Sequence, residues 1–517
     1  VLLVSCFLLF FQLGHYALWD DEAGLAIPSR GVWHTGDTTM VFGHNLVAQK
    51  DGIILRDLKD RANPPLPAFV MAPFAAFSGT GSLLPRIPFA LSGLFCVMLL
   101  LYWLWKAQAD SRAWLLMSLA ILGNVSFFLY FRQARYYGLT LLCSVGVAYL
   151  YLRWNGSRRG LVGLSLLLLA ILASHYMTFA ALVAVLVLDY VFWQRKIRPL
   201  GIKDWLVLLG PLVAGGLLVV LIWNPFRTGI AKQAALNSLA QHFTLFFWNL
   251  RDLNRSEFAQ GILLLLAPVL YFAGQKKPVL IRGAACILVY TLVMGMVSPQ
   301  PVQFTAVADV RYLIPLIPLC MAVEVAVLQV LFRKAPLWAV ATAGVVVFGT
   351  NLVQGGLWFK EGVRATPALY VRELINPPSD PYTVAANWIN EHVKENESIW
   401  VQPDYMTYPL MYHAPKPTYA WQLTLPPRGQ FANLPLIHFQ GGALPDYIID
   451  FGPNMEEANR LLQSWNWKFQ GAKYQQIDTL DFYWRDLYRP ELFWRAFTPV
   501  KNFNPQTDAI YVFKLVR

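Results

Sequence analysis

The chain is short of charge. Asp, Glu, Lys and Arg make up 14% of its 517 residues, against about 25% in a soluble globular protein. That shortage excludes a water-soluble enzyme with a fully solvated surface. Cysteine is also scarce. Cys6, Cys96, Cys143, Cys286 and Cys320 all lie in apolar runs, and no two have metal-ligand spacing. A disulfide framework and a zinc signature are thereby excluded. From residue 356 onward there is no cysteine at all, so the fold of that segment cannot depend on disulfides. No internal repeat or low-complexity tract is visible. The first apolar run, 1–19, lacks a basic leading region and a small-residue cleavage site, so it reads as a retained anchor rather than a signal peptide.

What the chain has in abundance is apolar sequence: 56% of it is hydrophobic and the mean hydropathy is +0.43. These values predict an α-helical polytopic membrane protein in a lipid bilayer. The net charge of +12 does not indicate nucleic acid, because the basic residues fall largely in short clusters between apolar runs. The runs are 1–19, 86–105, 113–130, 138–152, 161–176, 177–193, 205–223, 259–273, 280–297, 311–331 and 336–355. A further run, 64–78, is short and carries Pro64, Pro65, Pro67 and Pro73. That proline density opposes a spanning helix.

Five linkers, 106–112, 153–160, 194–204, 274–282 and 332–335, hold fourteen Lys and Arg and alternate with the other linkers. The positive-inside rule makes them cytoplasmic. With 64–78 not crossing, the expectation is about eleven transmembrane helices, with the acidic cluster Asp20-Asp21-Glu22 and the C-terminus outside. The expected domains are 1–355, a membrane domain including the first outer loop 20–85, and 356–517, an extracytoplasmic α/β domain. In the latter, 382–396 reads as helix, and 398–402, 447–450 and 509–515 read as strands. Its tryptophans, among them Trp388, Trp400, Trp421 and Trp465, read as core and interface anchors, or as a platform for an acceptor glycan.

The outer ends of the spans carry an unusual residue set. The first loop holds Asp20-Asp21-Glu22, Arg61-Ala62-Asn63-Pro64-Pro65 and Arg86-Ile87-Pro88. The next turn holds Arg132-Gln133-Ala134-Arg135-Tyr136-Tyr137, and the one after it His175-Tyr176. The last holds Asp309-Val310-Arg311-Tyr312. Arginines on the outer side oppose the charge bias and need anionic partners. Arginine also suits the grip of a phosphate.

In this set, residues 1 to about 330 resemble the bacterial branch of the protein O-mannosyltransferase family, which includes the lipid A aminoarabinose transferases. These are GT-C glycosyltransferases. The resemblance rests on the acidic pair after the first span, the Pro-Pro-Leu segment, Arg86-x-Pro, Ala134-Arg135-Tyr136, His175-Tyr176 and Arg311-Tyr312-x-x-Pro. It implies a polyprenyl-phosphate sugar donor, a hydroxyl acceptor (protein, lipid A or surface glycan) and inversion at the anomeric carbon. It also implies a bacterial inner membrane with the C-terminal domain in the periplasm. The family's catalytic acid corresponds to the pair Asp21-Glu22, with Asp21 the first choice.

The chemistry agrees with that implication. A hydroxyl attacking an anomeric carbon must lose a proton, and a carboxylate can take it. The leaving phosphate is already anionic and needs positive charge rather than an acid. Arg61, Arg86, Arg132, Arg135 and Arg311 are the candidates, with Asn63, Tyr136, Tyr137, His175, Tyr176, Asp309 and Tyr312 as pocket residues. A two-carboxylate scheme with Asp57 or Asp60 as second acid stays open.

Blander roles stand beside these. Asp20 reads chiefly as a helix cap, His175 as a satisfied interior histidine, and Tyr136, Tyr137, Tyr176 and Tyr312 as interface-belt residues. Arg135 and Asp309 could form an architectural bridge. Two positions depart from the family: the aminoarabinose transferases carry an acid and a lysine before Pro-Pro, where this chain has Ala62 and Asn63. The missing acid removes a metal ligand, which weighs against the aminoarabinose assignment and against a bound cation; a divalent cation is still the one cofactor left open. The alternative function is a lipid-linked sugar flippase or transporter without transferase activity.

Overall fold

A computed structural model describes residues 1–224, 237–254, 257, 260–298, 302, 310–354, 364–424, 427–452, 473–482 and 509–516. Two units emerge from the pattern of contacts. Among the described residues, the first holds Val1–Phe11 and Phe89–Ile375. The second holds Gln12–Pro88 together with residues 376–482 and 509–516. The first outer loop thus shares a unit with the C-terminal residues.

The first unit is helical. Among the described residues, five helices are long and apolar enough to cross a bilayer: Leu83–Lys106, Tyr176–Ile197, Ile202–Ile222, Pro278–Val297 and Arg311–Lys334. Ser111–Gly123 and Val125–Phe131 form a sixth span if taken together, bent by 60°. The bend has a local cause. Asn124 ends one helix and restarts the next, its Oδ1 accepting from the Phe127 N–H at 2.8 Å. Of the other expected spans, 138–152 is one unbroken helix, Tyr136–Arg153, and some are shorter. The run 1–19 is helical only over Leu2–Phe10, and Pro336–Gly349 has 14 residues. A helix that was not foreseen, Leu239–Leu253, lies in the expected outer loop 224–258, capped by Ser238.

Near the ends of these helices the polar groups are bonded to one another. Asp189 accepts from Arg282 Nε at 2.7 Å and from the Tyr151 hydroxyl at 2.9 Å. Asp189 is therefore held in a fixed ion pair.

In the second unit, the helix Asp20–Thr35 follows the acidic cluster and ends at Gly36. There φ of 74° lets the Gly36 N–H reach the Val32 carbonyl, a conformation glycine adopts at little cost. The proline-rich run forms the helix Leu66–Ala76. At 1.5 Å per residue its eleven residues reach only about 16 Å, short of the roughly 30 Å of a hydrocarbon core. It packs on Asp20–Thr35 through Leu25, Val32, Ala68 and Ala72. Arg30 ties the pair by donating to the Ala75 carbonyl at 3.0 Å.

The C-terminal part of this unit is a mixed sheet. Its strands are β1 Ser398–Gln402, β2 Thr418–Tyr419, β3 Tyr447–Phe451, β4 Lys473–Leu480 and β5 Ile510–Val516, in the order β4-β5-β3-β1-β2. β1 runs parallel to β2 and β3, while β5 is antiparallel to β3 and β4. Trp400, Ala420, Trp421 and Ile448 form a core on the sheet. On the helix Pro381–His392, Trp388 is buried too, its Nε1 donating to Asp478 at 2.7 Å. These three tryptophans are core residues. Trp465, Trp467, Trp484 and Trp494 lie outside the described residues.

Candidate active site

The acidic cluster is the first turn of Asp20–Thr35. A helix N-terminus has unsatisfied N–H groups and a favourable dipole for acids. Glu22, the third residue of the helix, uses this: its Oε2 accepts from the Trp19 N–H at 3.3 Å. The same carboxylate is fully buried and receives Arg86 in a two-point grip. Nε lies 2.9 Å from Oε1, and Nη2 lies 2.6 Å from Oε2. The remaining Arg86 hydrogens go to backbone. Nη1 donates to the Leu13 and Tyr16 carbonyls at 3.0 and 2.8 Å, and Nη2 to that of Ala17 at 2.9 Å. A guanidinium has five N–H donors, and all five are directed at Glu22 and this turn. Asp20 and Asp21 are half-buried beside it.

Residues 11–19 are not helical because the chain must come this close to Arg86 and the helix Leu83–Lys106. A Cβ on Gly14 would stand 2.8 Å from that of Leu83.

Arg61, expected on the donor phosphate, grips Asp37. Its Nη1 and Nη2 lie 2.7 and 2.5 Å from the two carboxylate oxygens. Lys59 reaches the same acid at 3.0 Å. The hydrogen bonds from Arg61 hold the Asp37 carboxyl well below its usual range, and Lys59 adds to the effect. Asn63 folds over Asp60: its N–H and side-chain amide reach the two oxygens at 3.0 and 2.7 Å. Burial raises the Asp60 carboxyl above its ordinary pKa against those hydrogen bonds. Asp60 thus shapes the turn into Pro64-Pro65, while Asp57 is exposed. Among the described residues, no group of three or more His, Cys, Asp and Glu could hold a metal ion. No step is derived through a cation.

The remaining expected residues belong to the first unit. Arg132 is buried and donates from Nη1 to the carbonyls of Leu8, Leu9 and Phe11 at 3.3, 3.0 and 2.8 Å. It satisfies the end of Leu2–Phe10, where carbonyls lack helical partners.

Tyr136, His175 and Tyr312 form one aromatic column. The Tyr136 and His175 rings stack at 4.3 Å and 8°, and His175 and Tyr312 at 5.4 Å and 18°. Arg135 lies over Tyr136 at 5.3 Å, and Arg311 over Tyr312 at 5.1 Å. The two guanidiniums therefore flank the column. His175 Nδ1 accepts from the Thr178 N–H at 3.2 Å, capping the helix Tyr176–Asp189. That contact leaves the proton on Nε2. Tyr137 is buried against Tyr130, and Tyr176 donates to the Trp223 carbonyl at 2.9 Å. Asp309 lies outside the described residues.

Sequence reasoning passed over three groups that the structure makes prominent. Asp37 is the partner of Arg61. Asp380 and His413, from the C-terminal part of the second unit, bond the turn before the acids, at 3.3 Å to the Ala17 N–H and 2.8 Å to the Leu18 N–H. No local motif marks them.

No protein-family model matches the chain, and no curated protein sequence does. Solved structures do. The chain shares its overall fold with two of them. One is ArnT from Cupriavidus metallidurans bound to undecaprenyl phosphate. Its TM-score is 0.52 over 99% of this chain and 96% of that one, at 14% identity. The apo state of that ArnT gives a TM-score of 0.50, covering 89% and 92% at 14% identity. At this identity the likeness shows the fold.

Proposed function

We propose that the chain is an inverting glycosyltransferase of the bacterial inner membrane, with its acidic turn and C-terminal domain outside. It moves a sugar from a polyprenyl-phosphate carrier to a hydroxyl acceptor. The observation that carries this reading is the fold, shared over nearly the whole chain with an ArnT that binds undecaprenyl phosphate. The expected eleven spans and the separate soluble domain belong to the same proposal.

In this reaction the acceptor oxygen attacks the anomeric carbon, and its proton passes to Asp21. The bond from that carbon to the phosphate oxygen breaks, and polyprenyl phosphate leaves with the electron pair. Asp21 suits the task because Glu22, its neighbour, is committed to Arg86. Glu22 and Arg86 hold the turn that presents Asp21. Arg135 and Arg311, flanking the aromatic column, receive the phosphate. Arg61, Arg86 and Arg132 are braces in this scheme, bound to Asp37, Glu22 and backbone carbonyls.

The test is to incubate the protein in nanodiscs with a panel of undecaprenyl-phosphate pentoses and hexoses. Release of undecaprenyl phosphate together with a glycosylated acceptor supports the reading. Movement of the carrier across vesicles without any release of undecaprenyl phosphate contradicts it and favours a flippase.

A further inference from the structure

The turn before the acids has no secondary structure of its own, so its backbone polar groups must be met by side chains. Three successive N–H groups are met in this way. Ala17 donates to Asp380 Oδ2 at 3.3 Å, Leu18 to His413 Nε2 at 2.8 Å and Trp19 to Glu22 Oε2 at 3.3 Å. Only the last of these acceptors is local. The other two come from residues more than 360 positions away, in the same unit.

Each of the two distant acceptors is itself fixed. Asp380 caps the helix Pro381–His392. It accepts from the Thr383 N–H at 3.0 Å and from the Thr383 hydroxyl at 2.6 Å. His413 closes the helix Thr407–His413, and its Nδ1 donates to the Thr80 carbonyl at 2.6 Å. With Nδ1 carrying the proton, Nε2 is the lone-pair nitrogen that Leu18 requires. Burial, aided by the charges of Arg86 and Arg30, pushes this imidazole down to about 4, so Nε2 stays an acceptor near neutral pH. One side chain therefore joins residue 18, which precedes the acids, to residue 80, which precedes the helix that carries Arg86.

We propose that His413 and Asp380 are positioning residues, through which the C-terminal domain sets the backbone immediately before Asp21 in the geometry needed for proton abstraction. The C-terminal domain is thus part of the chemical apparatus and not only an appended acceptor module. The inference rests on the assignment of Asp21 as base. Displacing a catalytic group by about 1 Å can cost on the order of 100-fold in rate. A carboxylate whose preceding turn loses two of its three N–H anchors is open to such a loss.

The side-chain geometry provides a discriminating set of variants. His413→Gln places an amide oxygen where Nε2 stands and keeps an acceptor for Leu18. His413→Asn keeps a donor toward Thr80 and loses that acceptor. Asp380→Asn keeps the helix cap but replaces the oxygen facing Ala17 with a donor.

Full-length variants in nanodiscs are assayed for release of undecaprenyl phosphate from the undecaprenyl-phosphate sugars, and for amide exchange over residues 13–25. His413→Asn and Asp380→Asn are expected to lose about 10- to 100-fold in kcat, with donor KM little changed and faster exchange in that segment. His413→Gln is expected to stay within about 3-fold of wild type, a difference under 1 kcal/mol. Wild-type kcat in His413→Asn or Asp380→Asn, beside an inactive Asp21→Asn, overturns the inference and leaves the base assignment standing. So does an equal loss in His413→Gln and His413→Asn, which marks a purely structural histidine. Full turnover by Asp21→Asn removes the base assignment itself, and with it the task given to His413 and Asp380.

Discussion

Arg86 and Glu22 form a buried, two-point ion pair, with Nη2 2.6 Å from Oε2 and Nε 2.9 Å from Oε1. The pair sits beneath the turn that ends in Asp21. Glu22 is fully buried and Arg86 nearly so, so each charge depends on the other for compensation.

Breaking the pair from one side strands the other charge. Removal of one partner of a buried ion pair costs about 3–5 kcal/mol. Glu22→Gln is therefore expected to lower the thermal unfolding midpoint in nanodiscs sharply. Combining it with Arg86→Met should cost clearly less than the two losses added together. Simple additivity would show that the two residues do not act as a pair.

The central strand β3 carries a different liability. Both carboxylate oxygens of Asp450 are buried without a hydrogen-bond partner among the described residues, and burial pushes this carboxyl up to about 7. The ordinary value is 3.8, so the folded protein favours the protonated form. The stability this gives is fully present below pH 3.8 and is lost as pH rises through about 7. Asp450→Asn should therefore stabilise the protein at pH 8, by an amount on the order of a few kcal/mol, and change little at pH 4. Thermal unfolding of both proteins at the two pH values measures this. Equal effects at both would contradict the assignment.

Arg135 and Arg311 flank the Tyr136–His175–Tyr312 column. If they receive the carrier's phosphate, lysine cannot replace their two-point donor geometry. Arg135→Lys and Arg311→Lys should each weaken binding of undecaprenyl phosphate by about tenfold, equivalent to about 1.4 kcal/mol. Titration of the purified variants with undecaprenyl phosphate reads this directly. Wild-type affinity in both would remove the phosphate role.

Much of the C-terminal fold was legible in the sequence. The stretches 398–402, 447–450 and 509–515 became β1, β3 and β5, and 382–396 became the helix Pro381–His392, because apolar periodicity is a local signal. The end of the helix at Phe10 within the run 1–19 was not legible, because hydropathy does not register Gly14, whose missing Cβ lets the turn approach Leu83. Nor does it register that Arg86 and Arg132 satisfy carbonyls which a continuous helix would have used internally.

The outer arginines were legible as residues needing partners, but not as to which partners. Spacing does not distinguish a phosphate oxygen from the Asp37 carboxylate or the Tyr16 carbonyl. His413 and Asp380 left no local trace, since their targets are more than 360 residues away.

In the proposed reaction Asp21 takes the proton of the acceptor. The most direct measurement compares wild-type protein with Asp21→Asn in single-turnover transfer from an undecaprenyl-phosphate sugar. Undecaprenyl phosphate binding is measured on the same preparations. A loss of at least about 100-fold in the transfer rate is expected, the scale of general-base catalysis, with carrier binding retained. Transfer at the wild-type rate would contradict it.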